Sequence, residues 1–114
     1  SKLEDCMVTT GGPKNEAKNR ELALKEYYKF STKVLTPVRK LGSASLDMAY
    51  VAAGRFDGFW QRNLSYWDIA AGIILVKEAG GFVTDFNGEN KYIQNETILV
   101  TNGKINKEMI EVLK

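Results

Sequence analysis

The hydrophobic and polar positions of the chain change period several times, which predicts alternating strands and helices. The longest apolar run, Trp67 to Gly81, reads WDIAAGIILVKEAGG. It is too long for a typical strand, so we expect a buried helix that Gly80-Gly81 ends. Asp68 opens this helix, at or next to the N-cap, where backbone N–H groups and the helix dipole favour an ionised carboxylate. Asp68 is therefore either a capping residue or a charged group with a further role.

Shorter segments on both sides have the periods of strands and helices. Further helices are predicted for Asn15 to about Phe30 with Asn15 as N-cap, for the segment after Gly42-Ser43-Ala44 up to Ala53, and for Ile105–Leu113. Strands are predicted for Cys6–Thr9, Val38–Leu41, Phe56–Gln61, Phe82–Thr84 and Ile98–Val100. Turns or loops are predicted at Gly11-Gly12-Pro13, Ser31–Pro37, Asn63–Tyr66 and Asn87-Gly88. This alternation predicts an α/β layered fold.

Composition narrows the class of protein. The 114 residues correspond to one domain or a piece of one, and 44% hydrophobic residues suffice for a core. Sixteen basic and 14 acidic residues give a net charge of +2, without the clustered basic face that nucleic-acid binding needs. No apolar run reaches the roughly 18 residues of a membrane span. We also expect no signal peptide in SKLEDC, the first six residues.

The residues that are rare or absent exclude several chemistries. Cys6 is the only cysteine, so the chain has no internal disulfide and a reducing compartment is expected. The absence of histidine excludes histidine-based zinc sites and Ser-His-Asp catalysis within this chain.

Asp68 is the first candidate for metal binding. A magnesium site needs several oxygen ligands, and one carboxylate cannot build it. The other acids, Asp47, Asp57, Glu78 and Asp85, have spacings that assemble no site. We expect Asp47 and Asp57 to be solvated or structural.

The small residues Gly42-Ser43-Ala44 are the second candidate. At a helix start they leave N–H groups that can receive an anion or a hydroxyl-rich ligand, although a tight strand-to-helix turn has the same pattern. A third candidate is a group of aromatic residues, for which core or interface packing is a stronger interpretation than stacking on a ligand. The group comprises Phe56, Phe59, Trp60, Tyr66 and Trp67.

Two long stretches together resemble a known family. WDIAAGIILVKEAGG, followed by Thr84-Asp85 and Gly88, resembles the C-terminal signature of the inositol monophosphatase family, whose members are magnesium-dependent, lithium-sensitive phosphatases. Upstream, RKLGSASLDMAYVAAGRFDGFW (Arg39–Trp60) resembles the strand–helix–strand segment that precedes this signature. The similarity is closest to bacterial members and in effect covers the whole chain. It implies an α/β layered sandwich in which a mixed sheet is flanked by helices.

The resemblance also implies a missing part. Family members are roughly twice as long, and their N-terminal half carries a glutamate-containing metal motif and a DPxDGT-type motif. Those motifs supply most metal ligands and position the attacking water, and neither occurs in this chain. Residues 1–114 therefore resemble the C-terminal α/β domain of such an enzyme, and we expect them to be inactive alone.

Site residues follow from the resemblance position by position. Asp68 matches the aspartate that completes the second magnesium site, and Trp67 matches its structural neighbour. Gly42, Ser43 and Ala44 match the segment that contacts substrate hydroxyls. Gln61 falls where the family usually has a substrate-binding glutamate, and Gln brings hydrogen bonds without charge.

The implied function is hydrolysis of a small phosphate monoester, such as inositol monophosphate, by the full-length magnesium enzyme. Gln61 leaves other substrates open, among them a nucleotide 3′-phosphate, a sugar bisphosphate or histidinol phosphate. The alternative is a non-catalytic interaction module. Expected partners are the missing N-terminal half and a second subunit in a homodimer, in the cytoplasm, with no membrane or nucleic acid.

Overall fold

The structure is a computed structural model that describes residues 3–11, 17–62, 66–103 and 105–114, without the side chains of residues 17–19 and 66–68. In these ranges a short 3-10 helix at Leu3–Asp5 precedes four strands and five α-helices. The strands are β1 Val8–Thr10, β2 Gly58–Arg62, β3 Phe82–Thr84 and β4 Thr97–Thr101. The helices are α1 Ala17–Ser31, α2 Ala44–Ala52, α3 Tyr66–Glu78, α4 Tyr92–Asn95 and α5 Asn106–Leu113.

The four strands form one mixed sheet in the order β1-β2-β4-β3. β1 is parallel to β2, whereas β4 is antiparallel to both β2 and β3. All five residues of β4 are buried, because this strand has a neighbour on each side and helices over each face. The predicted mixed sheet is confirmed.

Alternate side chains of the central strands enter two separate cores. Trp60 and Leu99 lie on one face, in a core that includes Phe30 of α1 and Met109 of α5. The Phe30 and Trp60 rings stack with centroids 3.9 Å apart. Phe59, Ile98 and Val100 lie on the other face, with Met48 of α2 and Ile73 of α3. The sheet is thus flanked by helices on both faces, as the resemblance implied.

α2 and α3 approach each other closely through Gly72. A Cβ atom at Gly72 would lie 2.8 Å from the sulfur of Met48, which is closer than side-chain atoms pack. The two apolar helices therefore form one tightly packed pair on their side of the sheet. This contact accounts for part of the apolar surface of the predicted central helix.

Several elements of the structure differ from the predicted ones. Val38–Leu41 is not a strand, because only Arg39 forms an isolated parallel bridge, with Thr9, before the chain turns towards α2. β2 begins at Gly58 instead of Phe56, because Asp57 bonds to Met7 through its N–H at 2.8 Å and its carboxylate at 2.9 Å. α4 was not predicted. The predicted turn at Gly12-Pro13, the Asn15 cap and the loop at residues 63–65 lie outside the described residues.

None of the helices in the described ranges has the length and apolar character that a membrane span requires.

Candidate functional site

Three strands end at the same edge of the sheet. β1 is parallel to β2, and β3 runs in the direction of β2 because both are antiparallel to β4. The last residues of these strands, Thr10, Arg62 and Thr84, therefore lie at one edge, the carboxyl edge. In open α/β sheets, ligands bind outside the carboxyl ends of the strands.

Helices α2 and α3 both begin at the carboxyl edge. α2 follows the Arg39 bridge and ends before β2 starts, while α3 follows the end of β2 and ends before β3 starts. At the opposite edge their C-terminal ends meet around a cavity of about 130 Å³, whose lining includes Gly54 and Gly81. Both helix dipoles consequently direct their positive ends towards the carboxyl edge.

The predicted segment Gly42, Ser43 and Ala44 forms the start of α2. Ser43 is the N-cap, and its hydroxyl accepts a hydrogen bond from the Leu46 N–H at 3.3 Å. Gly42 has a φ of 83°, a left-handed conformation that favours glycine over other residues. Gly42 and Ser43 are exposed and Ala44 is half-buried. The segment is thus an exposed turn whose first N–H groups face the carboxyl edge.

Gln61 lies on β2, one residue before the strand ends, and is 9% exposed. Its Oε1 atom is buried and has no hydrogen-bond donor among the described residues. The Gln61 amide packs directly on Gly11, where a Cβ atom would overlap it. Gln61 therefore places its amide near the carboxyl edge, and it can do so because Gly11 has no side chain.

Asp68 is the third residue of α3, inside the first turn instead of at the N-cap. The predicted helix is confirmed, but it begins at Tyr66, so Asp68 is not its N-cap residue. The side chains of Trp67 and Asp68 lie outside the described ones. The backbone of Asp68 is at the same sheet edge as Gln61 and the start of α2, because α3 follows directly after β2.

Asp85 and Asp57 have structural roles. The Asp85 carboxylate accepts hydrogen bonds from the N–H groups of Asn87 and Glu89, both at 2.9 Å, and from the Asn95 amide at 3.1 Å. Burial would raise the pKa of Asp85, but these donors together hold it below its ordinary value. The Asp57 carboxylate bonds to Met7 and to the Asn102 amide, at 2.9 and 3.0 Å.

Asp47 is fully buried, so it is structural and not solvated. Its Oδ1 lies 2.9 Å from the hydroxyl of Thr9, and its Oδ2 has no hydrogen-bond partner among the described residues. Burial raises the pKa of Asp47 to about 6, although the Thr9 hydroxyl lowers it in part. The signal in the sequence was one acid within the otherwise apolar stretch LDMAYVAA.

The described part of the chain contains no group of three or more acidic, histidine or cysteine side chains close enough to hold a metal ion. Of the aromatic group, Phe59 and Trp60 are buried in the two cores, and Phe56 packs edge-to-face on Tyr50 with centroids 5.7 Å apart. For these three residues the packing interpretation is confirmed. The Tyr66 side chain, like that of Trp67, is outside the described ones.

A mixed sheet between two helix layers defines an α/β protein with a layered fold. A profile of the inositol monophosphatase family matches residues 1–113. The chain belongs to the inositol monophosphatase family.

Individual relatives give the same result. The chain is 45% identical over 112 residues to an inositol-1-monophosphatase of Rhizobium meliloti. The aligned region covers 98% of this chain and 42% of that protein. It is 40% identical over 114 residues to a Nus factor SuhB of Pseudomonas aeruginosa, with 98% and 42% covered.

Solved structures agree with the fold. The crystal structure of the extragenic suppressor protein suhB from Bartonella henselae superposes with a TM-score of 0.91 and 44% identity, covering 99% of this chain and 43% of that one. An inositol monophosphatase from Anabaena gives a TM-score of 0.89 and 38% identity, with 99% and 44% covered. The chain thus spans less than half the length of these relatives and corresponds to their C-terminal part.

Proposed function

We propose that the full-length protein is a magnesium-dependent phosphatase for small phosphate monoesters such as inositol monophosphate, and that this chain is its C-terminal part. The observation that carries the proposal is the convergence of α2, α3 and Gln61 at one sheet edge. These are the elements in which the resemblance to the phosphatase family is strongest. A relative of the same family is called an inositol-1-monophosphatase.

Each proposed site residue has a role that its position allows. The N–H groups at Gly42, Ser43 and Ala44 bind and orient substrate hydroxyls from the start of α2. We assign Gln61 a hydrogen bond to a further hydroxyl, because it lies near the end of β2 and stands where the family usually has a substrate-binding glutamate. Together these contacts hold the ester in one orientation at the carboxyl edge, which lowers the entropic part of the barrier to hydrolysis.

Asp68 would hold a magnesium ion as one oxygen ligand. Asp57 and Asp85 accept several hydrogen bonds and Asp47 is buried against Thr9, and the described residues bring no three acidic side chains together. The remaining ligands are therefore assigned to the N-terminal part of the protein. When bound, magnesium activates water and stabilises the leaving oxygen. We accordingly expect residues 1–114 to release no phosphate alone.

The experiment is Asp68→Asn in the full-length protein. The variant should lose at least about a hundredfold in kcat, since Asn lacks the charge that a hard cation prefers, while the melting temperature stays within about 2 °C. Glu78→Gln, an exposed change at the other end of α3, is the matched control and should retain activity. Full activity of Asp68→Asn at ordinary magnesium concentration would exclude the metal role.

The substrate is a separate question because Gln61 stands where the family usually has glutamate. A neutral amide tolerates anionic groups near the substrate hydroxyls that a carboxylate would repel. A nucleotide 3′-phosphate, a sugar bisphosphate and histidinol phosphate should therefore be assayed beside inositol monophosphate. The preference is measured as kcat/KM for inositol monophosphate divided by kcat/KM for each other ester. A smaller ratio in wild type than in Gln61→Glu would support this role.

The partner surfaces are proposed from exposed apolar residues of the α2–α3 pair. Three large apolar side chains of this helix layer are exposed: Leu46 by 42%, Ile74 by 59% and Leu75 by 48%. Exposed apolar side chains grouped on one face are typical of a contact surface. We assign this face to contacts with the N-terminal part and the second subunit of a homodimer, in the reducing cytoplasm. This face is also the observation that favours the non-catalytic interaction module. A full-length protein that sediments as a dimer but hydrolyses no phosphate ester would support that module.

A further inference from the structure

Three separate segments of the chain meet at the hydroxyl of Thr9. Thr9 Oγ1 lies 2.9 Å from the backbone oxygen of Arg39 and 2.9 Å from Oδ1 of Asp47. Thr9 belongs to β1, Arg39 to the extended segment beside it, and Asp47 to the first turn of α2. Thr9 and Asp47 are both fully buried, so water does not compete for these contacts.

One hydroxyl proton cannot serve both acceptors at once. When Asp47 is ionised, Thr9 donates to it, and the Arg39 oxygen still accepts the Thr10 N–H at 2.9 Å. When Asp47 is protonated, its carboxyl can donate to Thr9, and Thr9 can donate to Arg39. The Thr9–Asp47 hydrogen bond therefore persists in either state, with only its direction reversed.

These contacts fix the chain on both sides of the exposed turn. Arg39 is held to β1 by its bridge to Thr9, and Asp47 is held to the same residue by a side-chain hydrogen bond. Gly42, Ser43 and Ala44 lie between these two anchors. Within the turn itself, the Ser43 hydroxyl accepts a hydrogen bond from the Leu46 N–H. Thr9 therefore ties the chain on both sides of this turn to β1.

We propose that Thr9 and Asp47 are positioning residues for substrate binding, which hold the Gly42–Ala44 turn at the sheet edge without contacting substrate themselves. This inference rests on the proposed function, in which that turn binds substrate hydroxyls. It goes further because it assigns specificity to a buried pair that lies behind the site.

The test is Thr9→Val in the full-length protein, since valine has the shape of threonine without its hydroxyl. KM should rise about tenfold, equivalent to about 1.4 kcal/mol, while kcat changes less than about twofold, as for a loss of uniform binding. Thr9→Ser keeps the hydroxyl and should retain the wild-type KM. Backbone amides of Leu46 and Asp47 should exchange hydrogen faster in Thr9→Val than in wild type.

Thr101→Val is the matched control for a general loss of stability. Thr101 is also a fully buried strand threonine whose hydroxyl makes one local hydrogen bond, from Gly103 N–H at 3.1 Å, but it lies at the opposite edge of the sheet. It should lower the melting temperature about as much as Thr9→Val and leave KM unchanged. If Thr9→Val does not fold, Thr9→Ala removes the same hydroxyl without adding an apolar methyl.

An unchanged KM in an active Thr9→Val enzyme would overturn the inference, and so would an equal rise in Thr101→Val. A different result separates the two proposals. If the wild-type protein hydrolyses no phosphate ester, the proposed function fails, and hydrogen exchange in the first turn of α2 then decides whether Thr9 positions the turn. Unchanged exchange in Thr9→Val would overturn the positioning role as well.

Discussion

Glu26 of α1 and Arg62 at the end of β2 form an ion pair, with 2.7 Å between Glu26 Oε2 and the Arg62 guanidinium. The Glu26 side chain is only 6% exposed, and the Arg62 guanidinium also lies 4.9 Å from the centre of the Phe86 ring. Burial raises the pKa of Glu26 in spite of Arg62, so desolvation costs more than the attraction returns. The pair links α1 to the strand end next to Gln61.

Removing the Glu26 carboxylate should destabilise the protein. Glu26→Ala leaves the Arg62 guanidinium without its partner and should lower the free energy of unfolding by about 2 kcal/mol, whereas Glu26→Gln keeps an acceptor and should cost less. Urea unfolding of the full-length protein measures both. Glu111→Ala is the control, because the Glu111–Lys114 pair is exposed and should contribute less than about 0.5 kcal/mol. Equal effects of Glu26→Ala and Glu111→Ala would contradict the expectation.

Asp47→Asn should make stability less dependent on pH. The pKa of Asp47 rises from 3.8 to about 6 on folding, so its favourable contribution is complete below pH about 3.8 and is lost as the pH rises through about 6. At about 1.4 kcal/mol per pKa unit, the loss is at most about 3 kcal/mol. Asn stays neutral, so the variant should gain stability relative to wild type between pH 4 and pH 8. A constant difference across urea unfolding at pH 4, 6 and 8 would contradict this.

Asp85→Asn should show the opposite dependence. Hydrogen bonds from Asn87, Glu89 and Asn95 lower the pKa of Asp85, so its contribution is present at neutral pH and is lost as the pH falls through the lowered value. The variant should be about 1–2 kcal/mol less stable than wild type at pH 7, and the difference should shrink at acidic pH. Unfolding by urea at pH 7 and pH 3 measures the change, and a difference that grows on acidification would refute the assignment.

Gly11→Ala should act on substrate binding through Gln61. The new methyl group overlaps the Gln61 amide, which is the flexible end of a side chain and can move aside. We expect KM to rise about threefold to tenfold with a loss of stability below about 1 kcal/mol. In a Gln61→Ala background the same change at Gly11 should have no further effect on KM, because its target is absent. Additive effects in this double-mutant cycle would show that Gly11 acts independently of Gln61.

Sequence patterns predicted the elements that have both a hydrophobic pattern typical of their type and residues that mark their ends. β3 was predicted with the observed ends, and Ser43 and Gly54 bracket α2 as expected. The segment Val38–Leu41 shows the limit of such patterns. Its sequence is typical of a strand, but in the folded protein only Arg39 forms a bridge to another strand. α4 was missed since its four residues have no side-chain cap, and its C-cap Glu96 is in the left-handed conformation, with a φ of 54°.

The candidate site was predicted as single residues and not as contacts. Gln61 and Asp68 were named from the resemblance, but the close approach of Gln61 to Gly11 depends on the pairing of β1 with β2, 50 residues apart in the chain, and leaves no local pattern. Asp47 was predicted to be solvated or structural, and the sequence could not decide between the two for the same reason. Its partner Thr9 is 38 residues away, and only the packing of α2 on β1 determines that both are buried.

The close contact of Gly72 with Met48 has a consequence for exchanging parts between relatives. Since α2 and α3 are interlocked there, and β2 connects them in the chain, residues 42–78 form a transplantable cassette that carries every proposed site residue together with its spacing. A chimera that exchanges this cassette whole and keeps Thr9 beside it should transfer substrate preference. A chimera whose crossover lies between α2 and α3 would place Gly72 of one relative against the side chain that another relative has at position 48. It should lose substrate recognition before it loses its fold.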